Sequence, residues 1–182
     1  AEWYQEGGIM DTGGHIREKE KRTFSVVDRI VAEVKNRTQA AGKIILFGHS
    51  AGGQFVHRWA LLGGKKNVDV IAVANSGWFT MPDRDIDYPY GIKNVGITDE
   101  ELGEAFAEPV ILFMGEKDVE RKPPFRDTPE ADAQGMNRME RCMNYFRQCR
   151  AKAEELRVPF RWKLETVEGA AHQGVKMAEG AA

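Results

Sequence analysis

Lys43-Ile44-Ile45-Leu46-Phe47-Gly48-His49-Ser50-Ala51-Gly52 decides the fold of this chain: an apolar run, a serine set between two glycines, then a helical pattern. A strand that turns sharply into a helix is the setting a nucleophilic serine requires. The glycines let neighbouring backbone pass close together, while the serine is held on a strained turn at the top of a sheet, beside the first amides of the helix. Gly48-x-Ser50-x-Gly52 therefore marks Ser50 as a candidate nucleophile for acyl transfer. The competing reading, in which Ser50 only caps a helix, loses ground to what lies downstream.

On either side of this stretch, helical and strand patterns alternate. Phe24, Val27, Ile30, Val31 and Val34 recur at helical spacing over residues 23–35, which predicts an amphipathic helix. Residues 54–62 continue a helix after the serine, and residues 68–74 form a second apolar strand. After a long irregular stretch, 82–98, a third strand is expected over 109–114, a long helix over 130–156 and a fourth strand over 160–167. Such alternation predicts an α/β fold, a parallel sheet with flanking helices, in a single domain spanning residues 1–182.

A serine hydroxyl is a weak nucleophile at neutral pH, so it needs a histidine to take its proton and an acid to hold that histidine in one tautomer. Both are expected at the carboxyl ends of strands. The third strand ends in Met114-Gly115-Glu116-Lys117-Asp118, and the fourth is followed by Gly169-Ala170-Ala171-His172. Asp118 and His172 are the candidates, with Glu116 as a competing acid. His57 reads as a packing or surface histidine, and His49, whose side chain is expected to point away from Ser50, as a supporting or packing residue and a candidate for substrate binding. Trp78 and Phe79, close behind the second strand, are candidates for an apolar acyl pocket or else for covering the sheet. Tyr88 and Tyr90 read as surface or lid residues. Arg138, Arg141, Arg147, Arg150 and Arg157 read as the solvated face of the long helix.

Composition excludes several classes. Of 182 residues 42% are hydrophobic and 30% charged, and 26 basic residues stand against 28 acidic ones, so no basic field points to nucleic acid. No apolar stretch approaches the roughly 18 residues of a membrane span, and a soluble protein is expected, its compartment not fixed by the sequence although the cytoplasm is favoured. Cys142 and Cys149 sit seven residues apart on one helical pattern, about 10 Å by helical rise, too far for a disulfide. Asp83-Arg84-Asp85-Ile86-Asp87 lacks the glycine and distal glutamate of a calcium loop, so no metal is expected, and no cofactor is needed.

Four stretches together resemble the α/β-hydrolase superfamily, and more closely its bacterial esterases related to polyhydroxybutyrate depolymerases. They are Gly48 through Arg58, Ala74-Asn75-Ser76-Gly77-Trp78-Phe79-Thr80-Met81-Pro82, Gly115-Glu116-Lys117-Asp118 and Val167-Glu168-Gly169-Ala170-Ala171-His172. The resemblance implies Ser50 as nucleophile, Asp118 as orienting acid, His172 as base and the Ala51 N–H as one donor of the oxyanion hole. The expected activity is hydrolysis of small or polymeric carboxylic esters through an acyl-enzyme. The chain departs from the family ahead of the elbow, where only 47 residues precede Gly48 and the loop donating the second oxyanion N–H is not evident; Gly13-Gly14-His15 is an unconvincing substitute. The expectation is a C-terminal part of the fold, completed by a missing N-terminal segment or by self-association at an apolar edge strand. The alternative is a noncatalytic fragment or interaction module.

Overall fold

The computed structural model of the chain describes residues 2–38, 42–63 and 67–181. Its centre is a four-stranded parallel sheet of β1 (Ile45–His49), β2 (Val70–Ala74), β3 (Val110–Gly115) and β4 (Lys163–Val167), in the order β1-β2-β3-β4. Sequential order with parallel pairing requires a crossover between each pair of strands. These carry α2 (Ala51–Leu62), α3 (Asp99–Ala107) and, between β3 and β4, α4 (Pro129–Asp132) and α5 (Arg138–Leu156). Helix α1 (Phe24–Thr38) precedes the sheet and α6 (Gly174–Ala181) follows it.

Alternation along the strands divides the interior into two layers, because successive side chains point to opposite faces. Ile71, Val73, Val110, Leu112 and Met114 join the main core with Phe24 and Val31 of α1, Trp59 and Leu61 of α2, Leu102 and Phe106 of α3, and Tyr145 of α5. Ala72, Ala74 and Phe113 face the other way, where Met177 of α6 covers them. Burying a side chain of the size of Leu or Phe contributes about 1.5–3 kcal/mol, so the larger layer supplies most of the stabilisation. Among the described residues, no helix is long and apolar enough to cross a membrane.

Several expectations are corrected. Helix α1 forms, but Ile30 and Val34 are exposed and only Phe24 and Val31 are buried. The helix expected over 130–156 is two: Gly135 adopts φ 146°, and the Asn137 side chain caps α5 by accepting the Glu140 N–H at 2.9 Å. Helix α3 forms where the sequence pattern predicts none, and Thr98 and Glu101 form a reciprocal capping box at its start. Helix α6 was also missed. Tyr88 and Tyr90 are buried rather than lid residues. The stretch 82–98 carries no regular element, yet it packs Ile92 and Val95 into the core. Cys142 and Cys149 are buried free thiols, as expected.

Candidate active site

The elbow is built as its sequence requires. Ser50 lies between β1 and α2 with φ 55° and ψ −113°, a conformation unusual for a residue with a Cβ. Its backbone N–H donates to the Ala74 carbonyl at 2.9 Å, tying the turn to the end of β2. Gly48 is obligatory here, since an added Cβ would collide with the Gly52 carbonyl, and one on Gly53 would lie 2.8 Å from the Ala74 carbonyl. Although Ser50 occupies the N-cap position, its hydroxyl makes no capping bond. That leaves the hydroxyl available to a partner outside the helix.

The partner is His172. Its Nε2 lies 2.8 Å from Ser50 Oγ and its Nδ1 lies 2.7 Å from Asp118 Oδ2. With a carboxylate at Nδ1, that nitrogen carries the proton and Nε2 accepts from the serine hydroxyl. The acid and the histidine are 54 positions apart, yet their loops are laced together: the Lys117 N–H donates to the Ala170 carbonyl at 2.8 Å, and Glu116 accepts the Gly169 N–H at 2.9 Å. Glu116, the competing acid, thus bonds to the loop backbone rather than to the histidine. Asp118 is 3% exposed, and its second oxygen accepts from Arg138 at 3.1 Å.

Other expected site residues lie elsewhere. Phe79 is fully buried: its ring stacks on Tyr145 at 4.5 Å, and its backbone exchanges two hydrogen bonds with the Gln134 amide. Trp78 is 2% exposed, held between the Arg58 and Arg126 guanidiniums at 4.1 and 4.8 Å. Neither offers an open surface to an acyl group: Phe79 belongs to the main core, and Trp78 packs in a small separate cluster with Tyr90 and Ala131. His49 packs its ring against that of His172 at 4.7 Å. Burial, and then the neighbouring His172, lower its pKa from the usual histidine value, and it is not among the residues that line the cleft beside His172. His57 is a core residue: Nδ1 donates to the Gly53 carbonyl and Nε2 accepts the Thr80 N–H, both at 3.0 Å. Gly13 and His15 form an exposed turn whose N–H groups both donate to Asp11, at 2.8 and 2.9 Å.

Arg138 and Arg141 are the misread residues. Neither is solvated: Arg138 pairs with Asp118, and Arg141, fully buried, donates to the Gly77 carbonyl and to Asp132, each at 2.8 Å. Arg147, Arg150 and Arg157 do form the exposed face of α5 and its end. A cleft of about 390 Å³ opens beside His172 and Asp118, between Lys117, Lys122, Pro123 and Pro124.

Two solved structures are similar over almost the whole chain. Poly(aspartic acid) hydrolase-1 from Sphingomonas sp. KT-1 superposes with a TM-score of 0.92 and 33% identity, covering 99% of this chain and 69% of that one. LpqC, a poly(3-hydroxybutyrate) depolymerase from Bordetella parapertussis, superposes with a TM-score of 0.90 and 32% identity, covering 98% of this chain and 61% of that one. No protein-family model matches the chain, and no curated protein matches it.

Proposed function

The chain belongs to the α/β-hydrolase superfamily, and from that premise we propose that it is a serine hydrolase of carboxylic esters, with Ser50, His172 and Asp118 as its catalytic triad. The observation that carries this reading is the continuous relay from Ser50 Oγ through the His172 ring to Asp118, at 2.8 and 2.7 Å. Its serine lies on a strained turn at the mouth of a helix.

In the reaction so read, His172 Nε2 takes the hydroxyl proton as Ser50 Oγ attacks the ester carbonyl carbon. Asp118 accepts from Nδ1 and stabilises the imidazolium that forms. The oxyanion of the tetrahedral intermediate takes a hydrogen bond from the Ala51 N–H, the first amide of α2, which has no partner within the helix. Nε2 then gives its proton to the departing alkoxide, leaving the acyl group on Ser50. Water, deprotonated by the same nitrogen, releases the acid and restores the serine.

One of the similar proteins is named for a polyester and the other for poly(aspartic acid), a polyamide. Both names support a carboxylic acid derivative as the substrate, and the second favours a reading in which amides are cleaved as well. The same triad serves both bonds, so an ester library and an amide library are to be tested side by side. Labelling with a fluorophosphonate, followed by peptide mass spectrometry, tests the nucleophile without guessing a substrate. Label on Ser50 that His172→Ala abolishes supports the reading. A folded sample that takes no label favours a noncatalytic module instead.

A further inference from the structure

Asn75 is the first residue after β2, fully buried, with φ 45° in the left-handed region that asparagine tolerates better than most residues. We propose that Asn75 is a positioning residue for the reaction of Ser50, fixing the histidine loop and the acid turn to the strand that also anchors the elbow. The proposal rests on the triad reading above.

The hydrogen bonds around it reach all three loops. Asn75 Oδ1 accepts the Gly115 N–H at 2.8 Å, and Nδ2 donates to the Ala171 carbonyl at 3.0 Å. Its backbone N–H donates to the Phe113 carbonyl at 3.1 Å, and the preceding carbonyl, that of Ala74, accepts the Ser50 N–H at 2.9 Å. Gly115 in turn accepts the Asp118 N–H at 3.0 Å, closing the acid turn, while Ala171 is the immediate neighbour of His172. The loops of Asp118 and His172 are laced to one another by their own backbone bonds. Residues 74 and 75 couple that laced pair to the serine turn.

The residue type fits the task. A short planar amide offers an acceptor at one end and a donor at the other, matching the Gly115 N–H and the Ala171 carbonyl. Aspartate could accept from Gly115 but would turn a second acceptor on Ala171, and alanine would reach neither. Gly115 itself admits no side chain: a Cβ there would lie 2.7 and 2.8 Å from the Ala170 and Ala171 carbonyls, so the acid turn and the histidine loop meet closely at this point. Releasing Asn75 therefore frees the His172 loop relative to Ser50 without removing a side chain that lines the cleft. A displacement of about 1 Å between reacting groups costs on the order of 10²-fold in rate.

The test compares wild type, Ser50→Ala, Asn75→Gly and Asn75→Asp on one p-nitrophenyl ester, together with the rate at which a fluorophosphonate labels Ser50. Glycine keeps the left-handed backbone while removing both side-chain bonds. The expected result is a kcat for Asn75→Gly lower by about 10- to 100-fold with KM unchanged, matched by equally slowed labelling. Asn75→Asp, which keeps the Gly115 bond, is expected to lose kcat in the same direction. A folded Asn75→Gly with wild-type kcat, or a loss confined to KM, overturns the proposal; should that variant fail to fold, wild-type kcat in Asn75→Asp does so. A wild type unlabelled at Ser50, or an active Ser50→Ala, instead overturns the triad reading and this proposal with it.

Discussion

Arg138 and Asp118 form an ion pair inside the protein, with Nη1 3.1 Å from Oδ1 and side chains only 5% and 3% exposed. The carboxylate is thereby divided: one oxygen serves the guanidinium of α5, the other the His172 ring. An acid withdrawn from water needs such partners, because an unpaired buried charge is costly. The pair also docks the start of α5 against the turn that follows β3, so helix packing and the candidate triad share one bond.

Removing the guanidinium leaves Asp118 buried with a single partner. Arg138→Met is expected to lose about 3–5 kcal/mol of stability, the range for breaking a buried pair from one side. Arg138→Lys should recover part of it, as a point donor without the planar fork. Urea unfolding checks this, and a midpoint for Arg138→Met equal to wild type would count against the pair.

Within the proposed triad, Ser50→Ala is expected to reduce kcat/KM by at least ~10⁴-fold, and Asp118→Asn to lower kcat by about 10⁴-fold through the wrong histidine tautomer. Ser50→Ala should keep wild-type stability, whereas Asp118→Asn leaves the buried Arg138 guanidinium without its carboxylate and is expected to lose stability as well as turnover. Steady-state kinetics beside circular dichroism checks them; substantial turnover by a folded Ser50→Ala would exclude Ser50 as nucleophile.

His57 makes stability depend on pH. Burial, and then the adjacent Arg58, hold its pKa well below the usual 6.5, and its Nε2 is needed to accept the Thr80 N–H. Below about pH 6.5 the unfolded chain binds a proton that the folded chain refuses, so stability falls as pH falls, by up to about 1.4 kcal/mol per pH unit for this one group. His49, shifted in the same direction, adds to the trend. Urea midpoints from pH 8 to pH 5 should decline for wild type and decline less for His57→Gln. Identical slopes for the two proteins would remove His57 as a cause.

Phe79 separates packing from substrate contact. Phe79→Ala is expected to cost about 3–5 kcal/mol, as for a fully buried ring, with KM for a small ester unchanged. A raised KM at undiminished stability would restore the residue to the binding surface.

Much of the site was legible because its signals are local. The apolar strand, the glycine spacing around Ser50 and the glycine-bearing ends of the third and fourth strands lie within short windows, and an alternating α/β pattern implies that strand ends converge. The capping box of Thr98 and Glu101 is equally local, but the helix it opens is only nine residues long, too short for a strong periodic signal between an irregular stretch and the next strand. The break before α5 was signalled by Gly135 and Asn137 but hidden within a longer helical pattern.

By itself the sequence determined the order of the four strands, the elbow, and the positions along the chain of the candidate serine, acid and histidine, since these follow from hydrophobic spacing and the glycine-bearing strand ends. Tertiary structure alone decided which charges are buried and which aromatics meet solvent. Helical spacing assigned Arg138 and Arg141 to water, because arginine is costly to bury unless paired. Their partners, Asp118, Asp132 and the Gly77 carbonyl, lie on other elements, and only packing brings them within reach. Asn75 belongs to the same class: a single asparagine after a strand carries no pattern, and its meaning comes from the two loops that the folded chain sets on either side of its amide.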